Sequence, residues 1–513
     1  MYTLISRALA ISTLSAVASF PVAAISQEQS ERAELLQSTC DTGELSSCFE
    51  LGHLYYSGDT VSPDNEKALE LYTKACEGGI LQSCADAGYM FARAEGTDFH
   101  YPTAISYLAT GCDTGVSWAC NELGTIFHTG RSHAELDGTQ KPEKNVAVNL
   151  TQAAYYFEKA CEQNHAFGCH WFATLLESGQ GIGQSYERAV SHYDTACQHT
   201  IAGACMNLAH LLEYGKGVEK DLPRAIVLHS YACDRQQWAS CKALGNIYEY
   251  GKGTIVDKRF GLSKYQTGCQ GGYGFDAEAC SHAGEFFENG KVVDTDGGLA
   301  AQYYERGCDG GWGDACMLAG ALYLLGEVVA LDSEKGLKFS QIGCDEHNNR
   351  TACFNVGLIY TISRGVENNP TIANKHYEKA CELGHHPACT NLAYNFDNGV
   401  GVDQDFARAI ALYDQSCEAD DGQACTNLAL MYQRGRGVAA DSTQAVALFD
   451  KACSLDFGSG CTAMASHLRD GDGVAKDADK ATEYFERGCE LDEEQSCEQL
   501  ESGGLSFKLK RRK

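Results

Sequence analysis

CMNLAHLLEYGKGVEKDLPRAIVLHSYAC, residues 205–233, is the stretch whose reading decides the fold. Leu208, Ala209 and Leu212 recur at helical spacing after Cys205, which predicts a first helix, A. Gly215 and Gly217 follow, and glycine takes positive φ without a Cβ penalty, so helix A ends there. Pro223 stands where a helix needs no amide donor, so a second helix, B, begins around it and runs to Cys233. The unit is helix A, a Gly-x-Gly loop, helix B, and a short turn to the next helix A.

Outward from this stretch the same pattern repeats in both directions. The chain of 513 residues holds 26 cysteines. They fall into thirteen pairs whose first members are Cys40, Cys76, Cys112, Cys161, Cys197, Cys233, Cys269, Cys308, Cys344, Cys381, Cys417, Cys453 and Cys489. Nine of the twelve steps between them are 36 residues, a period that marks a stacked repeat array. The second members are Cys48, Cys84, Cys120, Cys169, Cys205, Cys241, Cys280, Cys316, Cys353, Cys389, Cys425, Cys461 and Cys497, usually eight residues on. The first ends helix B and the second opens the next helix A, so a local disulfide within each pair is expected. A loop this short contributes about 2–3 kcal/mol on the chain-entropy estimate.

Two further registers fit the same template. Four residues after the second cysteine stands Gly or Ala in twelve of thirteen repeats, as at Gly52, Ala209 and Gly357. Eight residues before the first stands Ala or Gly in all twelve helices B, as at Ala68 and Ala445. Small residues let helix backbones approach closely. Rings then fill the gaps, one stripe on helix A (Tyr55, Phe127, Tyr323, Phe396) and one on helix B (Tyr72, Tyr193, Tyr265, Tyr377, Tyr413). Both stripes read as core.

The pattern C-x-N-L-A-x-L-x-x-x-G-x-G-V followed by A-x-x-x-Y-x-x-A-C, carried by 425–453 and 205–233, resembles the cysteine-rich Sel-1-like repeat proteins of the Hcp type, relatives of the tetratricopeptide repeats. The resemblance runs from about Glu28 to Leu500. It implies an all-α fold, an α/α superhelical solenoid of about twelve 36-residue disulfide-stapled repeats. It also implies adaptor or recognition functions, with helix A lining a concave face; some members are described as β-lactamases or penicillin-binding proteins.

The ends read differently from the array. Residues 1–24 predict a signal peptide, with Arg7 in a short leading region, an apolar run from Ala8 to Phe20 and small residues at Val22-Ala23-Ala24. Residues 25–501 form the solenoid, and 502–513 a basic tail ending Lys510-Arg511-Arg512-Lys513. Paired cysteines agree with export to a bacterial periplasm or beyond, because disulfides persist in oxidising compartments. Thiolate zinc sites bring four ligands together, which a repeated pair does not suit. The formal net charge of −29 argues against nucleic acid, whose affinity comes from cations on phosphates. No segment after the signal is long and apolar enough to be a membrane helix.

Catalytic motifs are missing. No S-x-x-K, G-x-S-x-G or H-E-x-x-H occurs, and paired cysteines offer no thiolate. A β-lactamase or penicillin-binding hydrolase therefore stands as the alternative, with no catalytic residue to name, and no cofactor or metal is expected. Departures from the period lie in loops: thirteen extra residues between Cys120 and Cys161, near His128, His133, Glu135 and Asp137, and the turn Gly271-Gly272-Tyr273-Gly274-Phe275, read as exposing two rings to a partner or as ordinary loop drift. Asn207, Asn355, Asn391 and Asn427 share the place two residues after the second cysteine. Each offers a donor and an acceptor, suited to the main chain of an extended peptide; the competing role is to satisfy a local backbone group at the helix start. The expected function is an exported scaffold that binds proteins, peptides or cell-wall fragments.

Overall fold

The computed structural model describes residues 22–502 apart from 60, 99, 132–145, 273 and 364. Most of the expected signal peptide, the loop residues His133, Glu135 and Asp137, the turn residue Tyr273 and the tail from 503 lie outside the described residues. The chain divides into two units, Met1–Arg235 and Gln236–Lys513. The described part of the first is the helix Val22–Asp41 followed by five helix pairs, ending with Ala202–Tyr214 and Leu222–Cys233. The second holds seven pairs, from Trp238–Tyr250 and Lys258–Gln270 to Gly458–Asp470 and Ala478–Glu490, and a closing helix Glu494–Ser502. No strand occurs among the described residues.

Local chemistry sets each boundary. Helix A ends on a left-handed glycine, such as Gly215 at φ 70° or Gly435 at φ 64°, which only glycine reaches without strain. Helix B starts on a side-chain cap. Asp221, Asp405 and Asp441 each accept the backbone N–H three residues on, a contact contributing about 1 kcal/mol. The B-to-A turn passes through a left-handed residue three after the first cysteine: Gly43, Gly79 and Gly311, but also Asn164, Asp420 and the β-branched Thr200 at φ 67°.

All 26 cysteines are disulfide-bonded. Cys40–Cys48, Cys197–Cys205 and Cys417–Cys425 have Cα–Cα separations of 4.7, 4.8 and 4.6 Å, and the longer turns are closed as well, by Cys269–Cys280 and Cys344–Cys353. A second device ties successive helices B together. Two residues before the first cysteine, a cation reaches the C-terminal carbonyl of the preceding helix B: Lys74 to Cys40 O at 3.2 Å, Arg306 to Cys269 O at 2.8 Å, Lys379 to Cys344 O at 2.7 Å and Lys451 to Cys417 O at 2.6 Å. A cation at the negative end of a helix dipole contributes about 0.3–1 kcal/mol.

The helix B rings are core. Tyr72, Phe157, Tyr193, Tyr265, Tyr304, Tyr377, Tyr413 and Phe449 are fully buried. A Cβ added at Gly245 would lie 2.4 Å from the Tyr265 ring, and one at Gly357 2.5 Å from Tyr377, so the small register exists to admit the ring. The helix A stripe is less uniform: Phe127, Tyr323 and Phe396 are buried, whereas Tyr55, Phe91, Tyr248, Tyr360 and Tyr432 are half-buried.

Candidate functional site on the helix A face

The tyrosine of helix B carries a polar tip into the gap between two consecutive helices A, and the candidate site is built around that tip. Buried hydroxyls must be paired, and Tyr193, Tyr265, Tyr304 and Tyr377 find partners on the preceding helix A. Toward the preceding helix A, eight residues after its second cysteine, Tyr193 Oη donates to Glu177 at 2.8 Å, Tyr265 to Glu249 at 2.9 Å and Tyr304 to Glu288 at 2.5 Å, while Tyr377 pairs with Thr361 at 2.9 Å. Toward the following helix A, Asn207, Asn391 and Asn427 stand beside Tyr193, Tyr377 and Tyr413, each lowering the hydroxyl's pKa against the larger upward push of burial. Burial first, then the neighbouring carboxylates Glu249 and Glu288, holds the Tyr265 and Tyr304 hydroxyls far above the ordinary tyrosine range. They act as donors and do not ionise.

A cation completes the arrangement in the second unit. The residue after the capping glycine of the following helix A reaches back to the acid: Lys291 lies 3.7 Å from Glu249, and Arg436 lies 2.8 Å from Asp397. Acid, tyrosine, asparagine and loop cation come together as one polar seam at Asp397, Tyr413, Asn427 and Arg436, and other helix pairs carry parts of it. Spacing in the sequence placed the asparagines; it did not link them to residues fourteen positions earlier. The signal was present in the fixed offset of each register from the cysteines, but a hydroxyl partner across a helix gap has no local sequence mark.

Asn207, Asn391 and Asn427 each lie beside a buried tyrosine hydroxyl. Their side chains are half-buried, and a carboxamide offers both a donor and an acceptor. Asn355 differs: the tyrosine place before it is held by the buried Ser340. Asn207 belongs to the first unit and the other three to the second. Beside Asn427 a cavity of about 140 Å³ opens, lined by Tyr394, Asp397, Tyr413, Arg434 and Arg436 among others, and Tyr394 at its edge is 55% exposed.

Three loop side chains pack locally. His128 does not stand open for a metal; its ring packs on Trp171 at 5.6 Å and Phe157 at 6.3 Å, and burial lowers its pKa. Phe275 is not an exposed ring, because the Arg306 guanidinium lies 4.6 Å over it. His385, in a turn of ordinary length, caps helix His386–Asn398 by accepting the Ala388 N–H and stacks on Phe354 at 4.4 Å. Cys344, Asp345 and His376 converge at metal-ligand distance, but the Cys344 sulfur is bonded to Cys353, which withholds the thiolate a soft metal would need.

Comparison with known proteins agrees with this architecture. The Sel1 repeat model matches residues 45–80, 119–165, 168–200, 202–236, 238–269, 277–312, 313–348, 351–385, 386–421, 422–457 and 458–493. The pair Leu81–Arg93 and Tyr101–Asp113, outside those matches, has the same fold and the same disulfide, Cys112–Cys120, at its end. A solved protective antigen present in uropathogenic Escherichia coli strains and displaying an SLR fold is similar at 22% identity, covering 94% of this chain and 99% of that one with a TM-score of 0.63. A Sel1 repeat protein from Oxalobacter formigenes matches at 17% identity over 64% of this chain and 90% of its own, TM-score 0.49. Cysteine rich protein B of Helicobacter pylori matches at 30% identity over 25% of this chain and 92% of its own, TM-score 0.22. No curated protein matches the sequence significantly.

Proposed function

The chain belongs to the Sel1 repeat family, with a disulfide in each repeat as in its cysteine-rich members, and from that premise we propose that it is an exported scaffold whose helix A face binds an extended peptide. Sel1 repeats commonly mediate protein interactions. The observation that carries the reading is the polar seam of the second unit. Asn391 and Asn427 stand in the same place on successive helices A, half-buried beside Tyr377 and Tyr413. Fixing a carboxamide before the ligand arrives reduces the ordering cost of binding, and a repeated donor–acceptor pair suits main-chain groups of an extended segment. The peptide comes from a protein or from a cell-wall fragment. Thirteen disulfides require a non-reducing compartment. Among the described residues no helix is long and apolar enough to cross a membrane, so we place the scaffold in the bacterial periplasm or outside the cell.

The test is selection of a displayed random peptide library on the oxidised protein, followed by affinity measurement of the winners on the Asn391→Ala/Asn427→Ala double variant. Loss of two main-chain hydrogen bonds should weaken binding by roughly tenfold. Equal affinity for both proteins overturns the reading. Turnover of a chromogenic cephalosporin by the oxidised protein would instead favour the hydrolase alternative.

A further inference from the structure

The cavity beside Asn427 has a charge balance unlike the rest of the molecule. Its lining holds two guanidiniums, Arg434 and Arg436, and one carboxylate, Asp397, in a chain of net charge −29. Asp397 is 7% exposed, and burial raises its pKa against the downward pull of Arg436 and Arg434. Arg436 is committed to it: one terminal nitrogen lies 2.8 Å from Asp397 Oδ1 and donates to the Asp397 carbonyl at 2.8 Å. Arg434 is not. It ends helix Gly422–Arg434, is exposed, and forms no ion pair among the described residues. The internal acid thus pairs with one cation and leaves the second, an exposed arginine at the cavity's lining, outside that ion pair.

We infer that this cavity, within the peptide-binding face proposed above and resting on that reading, is a subsite for a carboxylate of the bound segment. A guanidinium fork matches a carboxylate in two parallel hydrogen bonds. The volume of about 140 Å³ admits the group together with a water or two, each taking about 30 Å³. Asn427 and Tyr413 line the same cavity and remain neutral, burial pushing the Tyr413 hydroxyl up, so they do not compete for the cation. A ligand lysine entering here would meet two positive charges against one negative. Partial enclosure reduces the screening that makes such pairs weak on an open surface.

The experiment uses the full oxidised chain, immobilised, and degenerate heptapeptide pools acetylated at the N-terminus. Three pools are amidated and carry Glu, Gln or Lys at the centre; a fourth carries Gln and a free C-terminus. The Glu pool should be retained roughly five- to tenfold over the amidated Gln pool, a charge-assisted bidentate pair against a neutral one, with the Lys pool retained least. Arg434→Gln should remove the Glu preference. Asp397→Asn should increase Glu retention, because Arg436 loses its internal partner; a purely structural role for Asp397 would not produce a gain. Retention of the free-acid Gln pool equal to that of the Glu pool supports the subsite and assigns the carboxylate to a chain terminus. Equal retention of the amidated Glu and Gln pools, or a Glu preference unchanged in Arg434→Gln, overturns the subsite. If retention still falls in Asn391→Ala/Asn427→Ala, only the subsite has failed; if that variant retains every pool like the parent, the peptide face itself has failed.

Discussion

Removing one hydroxyl from the seam should cost different amounts at two positions that look alike in the sequence. Tyr265 is 0% exposed, and its hydroxyl lies 2.7 Å from Asn246 Oδ1 and 2.9 Å from Glu249 Oε2. Glu249 is only 5% exposed, with Lys291 at 3.7 Å as its other charged neighbour. Tyr265→Phe deletes a hydrogen bond to a buried carboxylate, a loss of about 1.5–3 kcal/mol. Tyr377→Phe deletes a bond to a neutral group, Thr361 at 2.9 Å, a loss of about 0.5–1.5 kcal/mol. A repeat array does not unfold as one two-state unit, so a global melting point would blur the comparison. Amide hydrogen exchange under conditions where reclosing is fast reads the local opening free energy instead. The amides of Trp238–Tyr250 and Lys258–Gln270 should exchange roughly ten- to a hundredfold faster in Tyr265→Phe. Those of Arg350–Thr361 and Pro370–Glu382 should exchange only about two- to tenfold faster in Tyr377→Phe. Equal acceleration by the two variants would refute the charge-based account of the seam, as would unaltered exchange in Tyr265→Phe.

The other predictions concern the scaffold. Replacing Cys417 and Cys425 by Ser should lower local opening energy by about 2–3 kcal/mol, with protection beyond the adjoining repeats unchanged in the same exchange experiment. Gly357→Ala places a Cβ 2.5 Å from the Tyr377 ring and should destabilise by about 1–3 kcal/mol; Tyr377→Leu in the same chain should recover part of that, as measured by denaturant titration. Thr200→Gly should stabilise the turn at φ 67° by about 1 kcal/mol, and slower exchange around Cys197–Cys205 would show it. Burial lowers the pKa of His170, as it does for His128, His192 and His210, so the folded first unit binds fewer protons than the unfolded chain just below the ordinary histidine pKa of about 6.5. Its stability is therefore full above that value and falls as pH drops through it; the melting midpoint should decline from about pH 7.5 to about pH 5.5, and less in His170→Gln.

The small registers at Gly245 and Gly357, the rings at Tyr265 and Tyr377, the glycine ends of helix A and the cysteine pairing could all be read from offsets along the chain. Each depends on contacts within one repeat or with its neighbour, so periodicity carries them. The caps at Asp221 and Asp405 and the cations at Lys379 and Lys451 keep fixed offsets as well, but their roles emerged only in the structure. The half-burial of the helix A rings was not legible either, because exposure depends on what the next repeat places opposite them.

The seam marks where sequence reading stops. Asn391 and Asn427 stood out by position, but that each stands beside a buried tyrosine, that Asp397 is buried beside Arg436, and that Arg434 lies outside that pair follow only from which side chains meet across the gap between helices. Sequence by itself determined the helices, their boundaries and the staples, because these are set by backbone conformation and short loops. Tertiary structure alone decided which polar groups are satisfied internally and which remain for a ligand, because that balance is struck between residues brought together from three different helices.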